Sequence, residues 1–281
     1  MLSSGPQAAI QTLEESGLDL SQPENEPAAR QWIGLLLASG EVERARAWAE
    51  GVAASDSASL QALRGDLLRE LGQEAAARAA FEAALEADPE SGPALAGLGQ
   101  LEQRAGSPEA ALVLFERALA AHPGNPDYSY LAASAQLALG HEEEGASGLR
   151  VLLRRNPDHL AACNDLAWLL AERGEDLDLA LALARRAARL EPRPDVLDTL
   201  GWVQLKRGEV EAAIAAFQKA LAAQPGLSTA RYHLGLALVQ RGDEDAARQA
   251  FRAALDSGPF PESEAARKEL ERLAPQEATS Q

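Results

Sequence analysis

Four histidines and a single cysteine are the residues of this chain best suited to metal, acid–base or nucleophilic chemistry, and their spacing argues against all three. His122, His141 and His159 fall in or beside turns between apolar-periodic segments. No His-x-x-x-His or Cys-x-x-Cys spacing occurs, so neither a zinc site nor any other cofactor is expected. Cys163 has no second cysteine to pair with and is expected to pack as a small apolar residue. Asp195 and Asp198 lie three residues apart on a helical pattern, an arrangement common on solvated helix faces and insufficient for acid–base catalysis without a pocket. Gly97-Leu98-Gly99 sits inside a helical pattern and lacks the preceding strand that a dinucleotide fingerprint requires. Arg241-Gly242-Asp243 shares its phase with Arg173-Gly174-Glu175 and Arg207-Gly208-Glu209, so the triplet is punctuation. No catalytic residue is expected. What remains is a different kind of chemistry, that of large aromatic anchors: Trp168 and Trp202 stand 34 residues apart, directly after Ala167 and Gly201.

The rest of the composition limits what such anchors serve. The 281 residues are 46% hydrophobic, ample for a buried core, but only 4% aromatic. The dominance of alanine, leucine, arginine and glutamate favours helices over sheets rich in β-branched residues, and an all-α protein is expected. A formal charge of −17 repels a nucleic-acid backbone, and the basic pairs Arg154-Arg155 and Arg185-Arg186 are too short to make a stripe. No apolar run approaches the ~20 residues that span a bilayer. The start MLSSGPQAAIQTLEE lacks the charged and apolar regions of a secretory signal, so a soluble cytoplasmic chain is expected as written.

The elements that position the tryptophans are set by a repeat. Gly72, Gly106, Gly140, Gly174, Gly208 and Gly242 recur every 34 residues, and Gly40 precedes Gly72 by 32. Pro89, Pro123 and Pro157 keep the same interval, after which Pro192, Pro225 and Pro259 follow at steps of 35, 33 and 34. Phe81, Phe115, Phe217 and Phe251 share one phase. Each period holds two apolar-periodic segments of about a dozen residues, helix rather than strand length. The glycine ends the first helix in a left-handed conformation and the proline ends the second. Such a hairpin leaves an apolar face uncovered when alone, so consecutive hairpins are expected to stack.

Leu98-Gly99, Gly106, Ala111, Phe115, Ala118-Leu119 and Pro123 recur as Leu200-Gly201, Gly208, Ala213, Phe217, Ala220-Leu221 and Pro225, and again from Leu234-Gly235 to Pro259. This pattern resembles the tetratricopeptide repeat (TPR) family over nearly the whole chain. The resemblance implies a right-handed α-solenoid of helix-turn-helix hairpins. The units are expected at 26–57 (degenerate), 58–91, 92–125, 126–159, 160–193, 194–227 and 228–261. An orphan helix of an incomplete repeat occupies 1–25, a capping helix 262–274 and a disordered tail 275–281. Gly145, Gly148 and Leu149 stand where alanine and an aromatic usually pack, so the second helix of the fourth unit is expected to be loosely held. The fifth carries one extra residue in GEDLDLA.

In the family the first helices line a concave groove, and the register places Tyr130, Asn164, Asp165, Trp168, Asp198, Trp202, Lys206, Tyr232 and His233 on it. The resemblance thus implies a non-catalytic scaffold or adaptor holding a peptide or helix of another protein, one of basic or apolar character given the acidic charge. Arg30, Gly34, Leu63, Pro93 and Gly97 occupy the phases at which some members grip a C-terminal carboxylate with Lys and Asn, so that clamp is absent from the first three units. The small residues Ala167 and Gly201 let paired helices approach. A tryptophan ~100° further round the helix is then expected to be partly exposed at the centre of the groove, with Tyr130 and Tyr232 flanking the pair. The last three units are similar to bacterial TPR proteins of exopolysaccharide or exosortase systems, which implies a periplasmic or envelope-associated setting if the chain is a fragment lacking its signal. Two alternatives stand beside the adaptor: the regulatory repeats of an enzyme whose catalytic domain lies outside this chain, and a structural or self-associating spacer.

Overall fold

Seven glycines at the repeat phase, from Gly40 to Gly242, have φ between 65° and 88° in a computed structural model that describes residues 5–274. The turn this makes is visible at Gly208. Its N–H reaches Leu205 O at 2.9 Å and the next N–H, of Glu209, reaches Gln204 O at 2.8 Å, the paired closure that satisfies the last carbonyls of a helix. Gly72 and Gln73 repeat the geometry on Arg69 and Leu68.

Helices are the regular elements of the described residues, which contain no strand. After α1 (Pro6–Glu15) and a 3-10 turn (Pro23–Asn25), helices follow in pairs: α2 (Glu26–Ala38) and α3 (Val42–Gly51), α4 (Ala58–Glu70) and α5 (Glu74–Ala87), α6 (Gly92–Arg104) and α7 (Pro108–Ala121). Then come α8 (Pro126–Ala138) and α9 (Glu142–Arg155), α10 (Leu160–Arg173) and α11 (Leu177–Leu190), α12 (Pro194–Lys206) and α13 (Val210–Ala223), α14 (Ser228–Arg241) and α15 (Glu244–Asp256), with α16 (Ser263–Arg272) last. The chain forms two compact units, one ending at Gly148 and the other beginning at Leu149. The tail expected at 275–281 lies outside the described residues.

Four hairpins, α4/α5, α6/α7, α12/α13 and α14/α15, close on one repeated contact. Phe81 and Phe115 in the first unit, and Phe217 and Phe251 in the second, are fully buried. Each ring lies where the facing helix has glycine: a Cβ on Gly99 would come within 2.4 Å of the Phe115 ring, and one on Gly201 within 2.6 Å of Phe217. A large knob on the second helix thus fills a backbone-lined hole on the first. In α8 and α9 the sizes are exchanged. A Cβ on Gly148 would stand 2.9 Å from that of Ala133, and one on Gly145 2.6 Å from Leu137, while Ala146 and Leu149 are fully buried. At these two positions the glycines remove the bulk that would hold the α8 and α9 backbones apart.

The extra residue of the fifth unit is absorbed at Asp176, the one non-glycine with positive φ (37°) among the described residues, whose carboxylate accepts the Leu179 N–H at 3.2 Å. The next connection, from Leu190 to Pro194, is one residue shorter than that from Ala223 to Ser228, which restores the register. At the C-terminal end α16 buries Ala266, and Leu273, the residue that follows the helix, is buried too, with Arg248 donating to Leu273 O at 2.9 Å. At the other end α1 buries Ile10, and Glu14 accepts from Trp32 Nε1 at 3.1 Å and pairs with Arg44.

Candidate docking face

In the second unit the first helices of three successive hairpins, α10, α12 and α14, carry a continuous aromatic line. Trp168 on α10 and Trp202 on α12 stack with centroids 5.6 Å apart and planes 22° from parallel. His233 on α14 lies 4.5 Å from Trp202 and 5.6 Å from Trp168. Tyr232 continues the line 5.7 Å from His233, reaching Phe251 at 5.8 Å and Phe260 at 6.2 Å. Offset and tilted rings at these separations suit the quadrupoles of aromatic groups.

Polar groups fix this line. His233 Nδ1 meets both oxygens of Asp198, at 2.9 and 3.1 Å, and the pair is buried, 2% and 7% exposed. Trp202 Nε1 donates to Glu172 Oε1 at 2.6 Å. Lys206, one turn beyond Trp202, places its ammonium 4.5 Å from the Trp202 ring and 3.7 Å from the same Glu172 oxygen. Asn164 Nδ2 approaches Asp165 Oδ1 at 3.5 Å.

These positions correct the sequence reading in three places. Trp202, expected to be partly exposed, is 9% exposed and belongs to the packing between neighbouring first helices. Asp198 is not on a solvated face but under it, held by His233, and His233 is an interior residue rather than part of an open groove wall. The cause is common to all three: first helices of successive hairpins approach side by side, so a residue one step round from the hairpin contact meets the next helix before it meets solvent. Trp168, Asn164, Asp165 and Tyr232 remain half-buried, and Lys206 and Glu172 are exposed. Tyr130 is half-buried on α8, in the first unit. Glu172 falls at a groove phase by register, and its bond to the Trp202 indole is what ties it to the stacked pair.

Burial pushes the Tyr232 phenol above its ordinary range, reinforced by Glu269, Glu262 and Glu172. The hydrogen bond from Arg193 holds the Asp195 carboxyl below its usual range. Cys163 is fully buried; burial raises its thiol, with Arg186 opposing and Asp158 assisting. Among the described residues no three His, Cys, Asp or Glu side chains cluster as a metal site would need, and no helix is long and apolar enough to cross a membrane. One cavity of the first unit, about 300 Å³ between α2 and α4, is lined by Arg30, which pairs with Asp66 at 3.2 Å and with Glu26 at 2.8 Å.

Fold and face together define a helical-hairpin repeat protein. Family models described as tetratricopeptide repeat match residues 32–92, 62–126, 102–162 and 199–260, more than half of the chain, and the chain belongs to that family. A TPR repeat-containing protein of Pseudomonas aeruginosa is 32% identical over 85 residues, which are 30% of this chain and 14% of that protein. The APC/C hetero-tetramer Cut9–Hcn1 matches with TM-score 0.79 and 17% identity over 96% of this chain and 52% of the matched one. A thermophilic TPR protein of Thermus thermophilus matches with TM-score 0.53 and 27% identity over 65% of this chain and 98% of its own. The chain therefore spans about half of the first of these structures and a seventh of the curated relative. The fold and these likenesses support a protein-interaction repeat scaffold, of a kind that is generally non-catalytic. None of these matches carries an exopolysaccharide or exosortase connection.

Proposed function

We propose that this chain is an adaptor that holds a peptide or helix of another protein on the face formed by α10, α12 and α14, and that the segment it holds is basic or apolar. The observation that carries this reading is the unequal burial of the two stacked tryptophans. Trp202 is built into the packing and backs Trp168, which keeps part of its ring at the surface. A rigid aromatic supported from behind loses little freedom on binding, and such residues concentrate binding energy. Its neighbours Asp165 and Glu172 are acidic, and the whole chain carries −17, so a basic segment is favoured both at contact and during approach. The bacterial envelope or exopolysaccharide complex suggested by the last three units is the setting we propose for such an adaptor.

Selection of a phage-displayed random peptide library on the whole chain tests this. Selected peptides are expected to be enriched in arginine, lysine and apolar residues, and Trp168→Ala is expected to weaken the best of them by ~2 kcal/mol in fluorescence anisotropy. Recovery of no binding peptide, or peptides that bind Trp168→Ala as tightly as the parent, overturns the assignment of this face.

A further inference from the structure

We propose that Glu172, Trp202 and Trp168 form a docking point for an arginine side chain of the partner, and that Lys206 occupies this point in the unbound chain. The inference rests on the reading of the α10, α12 and α14 face as a docking surface and names what one part of it recognises. Three parts of the site are fixed and one is not. The Trp202 ring packs against both Trp168 and His233, which also touch each other, and its N–H aims the Glu172 carboxylate through a 2.6 Å bond. The fourth part, the Lys206 side chain, is 35% exposed and ends a flexible stem; its partner Glu172 is 44% exposed. Exposed ion pairs and exposed cation–π contacts are both weak, so the ammonium can be displaced.

The geometry favours a guanidinium as the displacing group. Among the described residues, both Trp202 Nε1 and Lys206 Nζ approach the same oxygen of Glu172, Oε1. A planar fork can engage both carboxylate oxygens at once and lay its face on an indole, which a compact, strongly hydrated ammonium cannot. The ring surface now under Lys206 is the surface such a fork would cover. The half-buried Asp165 on the same helix as Glu172 adds negative potential, and the surplus of acids over bases in the chain draws a cation in.

The test titrates N-acetyl-arginine amide into the whole chain and into Lys206→Ala, following the indole N–H resonances of the tryptophans by NMR, with uncharged N-acetyl-citrulline amide as control. Lys206→Ala is expected to shift its Trp202 resonance saturably, at a half-saturation about two- to five-fold lower than the parent. Citrulline amide is expected to leave the resonance in place, and Glu172→Gln added to Lys206→Ala is expected to abolish the response. Equal titrations of parent and Lys206→Ala, or equal shifts with citrulline amide, overturn the proposal. Library-selected peptides that depend on Trp168 while Lys206→Ala titrates like the parent would overturn the arginine site and leave the docking face standing; loss of both would remove the face as well.

Discussion

Trp168 and Trp202 occupy one repeat phase and stack on each other, yet substitution is expected to separate them. Trp202 is enclosed by Trp168, His233 and the Lys206 stem and bonded to Glu172, so Trp202→Ala is expected to cost ~3–5 kcal/mol of stability, as truncation of a buried aromatic does. Trp168→Ala removes a half-buried ring and is expected to cost about 1 kcal/mol while removing most of the peptide affinity. Urea denaturation of the two variants beside the parent distinguishes them. Tyr232 offers a pH readout. Its folded-state pKa is raised, chiefly by burial, so the folded state holds the phenolic proton more tightly than the unfolded chain does. The stabilising contribution is full below the unfolded phenol pKa of about 10 and is lost as pH rises from there through the folded value. Stability is therefore expected to fall more steeply above about pH 10 in the parent than in Tyr232→Phe, measured by chemical denaturation across that range.

At the scale of the helical hairpin, the glycine–phenylalanine contact carries the prediction. Gly201 has no room for a methyl group, since a Cβ would stand 2.6 Å from the Phe217 ring, and that ring is fully buried with nowhere to retreat. Gly201→Ala adds helix propensity but is expected to be net destabilising by ~1–3 kcal/mol through overpacking. Combining it with Phe217→Leu is expected to cost less than the sum of the two single changes, because the smaller side chain vacates the space the methyl needs. Thermal unfolding of the four-member cycle measures the coupling. A purely additive result would mean that the ring and the α12 backbone do not share the constraint seen here.

Across the whole molecule the tryptophans divide between the two compact units, Trp32 and Trp48 in the first, Trp168 and Trp202 in the second. Stability in a repeat array is carried by neighbouring repeats rather than by one global core. A destabilising change such as Gly201→Ala is therefore expected to shift the unfolding transition reported by Trp168 and Trp202 more than that reported by Trp32 and Trp48. Denaturant titrations in the Trp32→Phe/Trp48→Phe background and in the Trp168→Phe/Trp202→Phe background, each with and without Gly201→Ala, isolate the two signals. Equal shifts in both would show that the array unfolds as one cooperative body.

The sequence by itself determined the helices, their pairing and the places where they stop, because these depend on local chemistry repeated at a strict interval: glycine where φ is positive and proline where a helix cannot continue. Register also put Asp198, Trp202, Lys206 and His233 on the first helices of successive hairpins. The tertiary structure alone decided how deep each of them lies. Asp198 and Asp195 have the same side chain three residues apart on α12, yet one is buried against His233 and the other is exposed and paired with Arg193. Depth depends on how closely the next first helix approaches, and that distance is set by packing between residues thirty or more positions apart, such as Asp198 with His233 and Glu172 with Trp202. No local pattern encodes that approach, so the half-buried ring of Trp168, the enclosed ring of Trp202 and the role of Glu172 beside them become visible only when the hairpins are side by side.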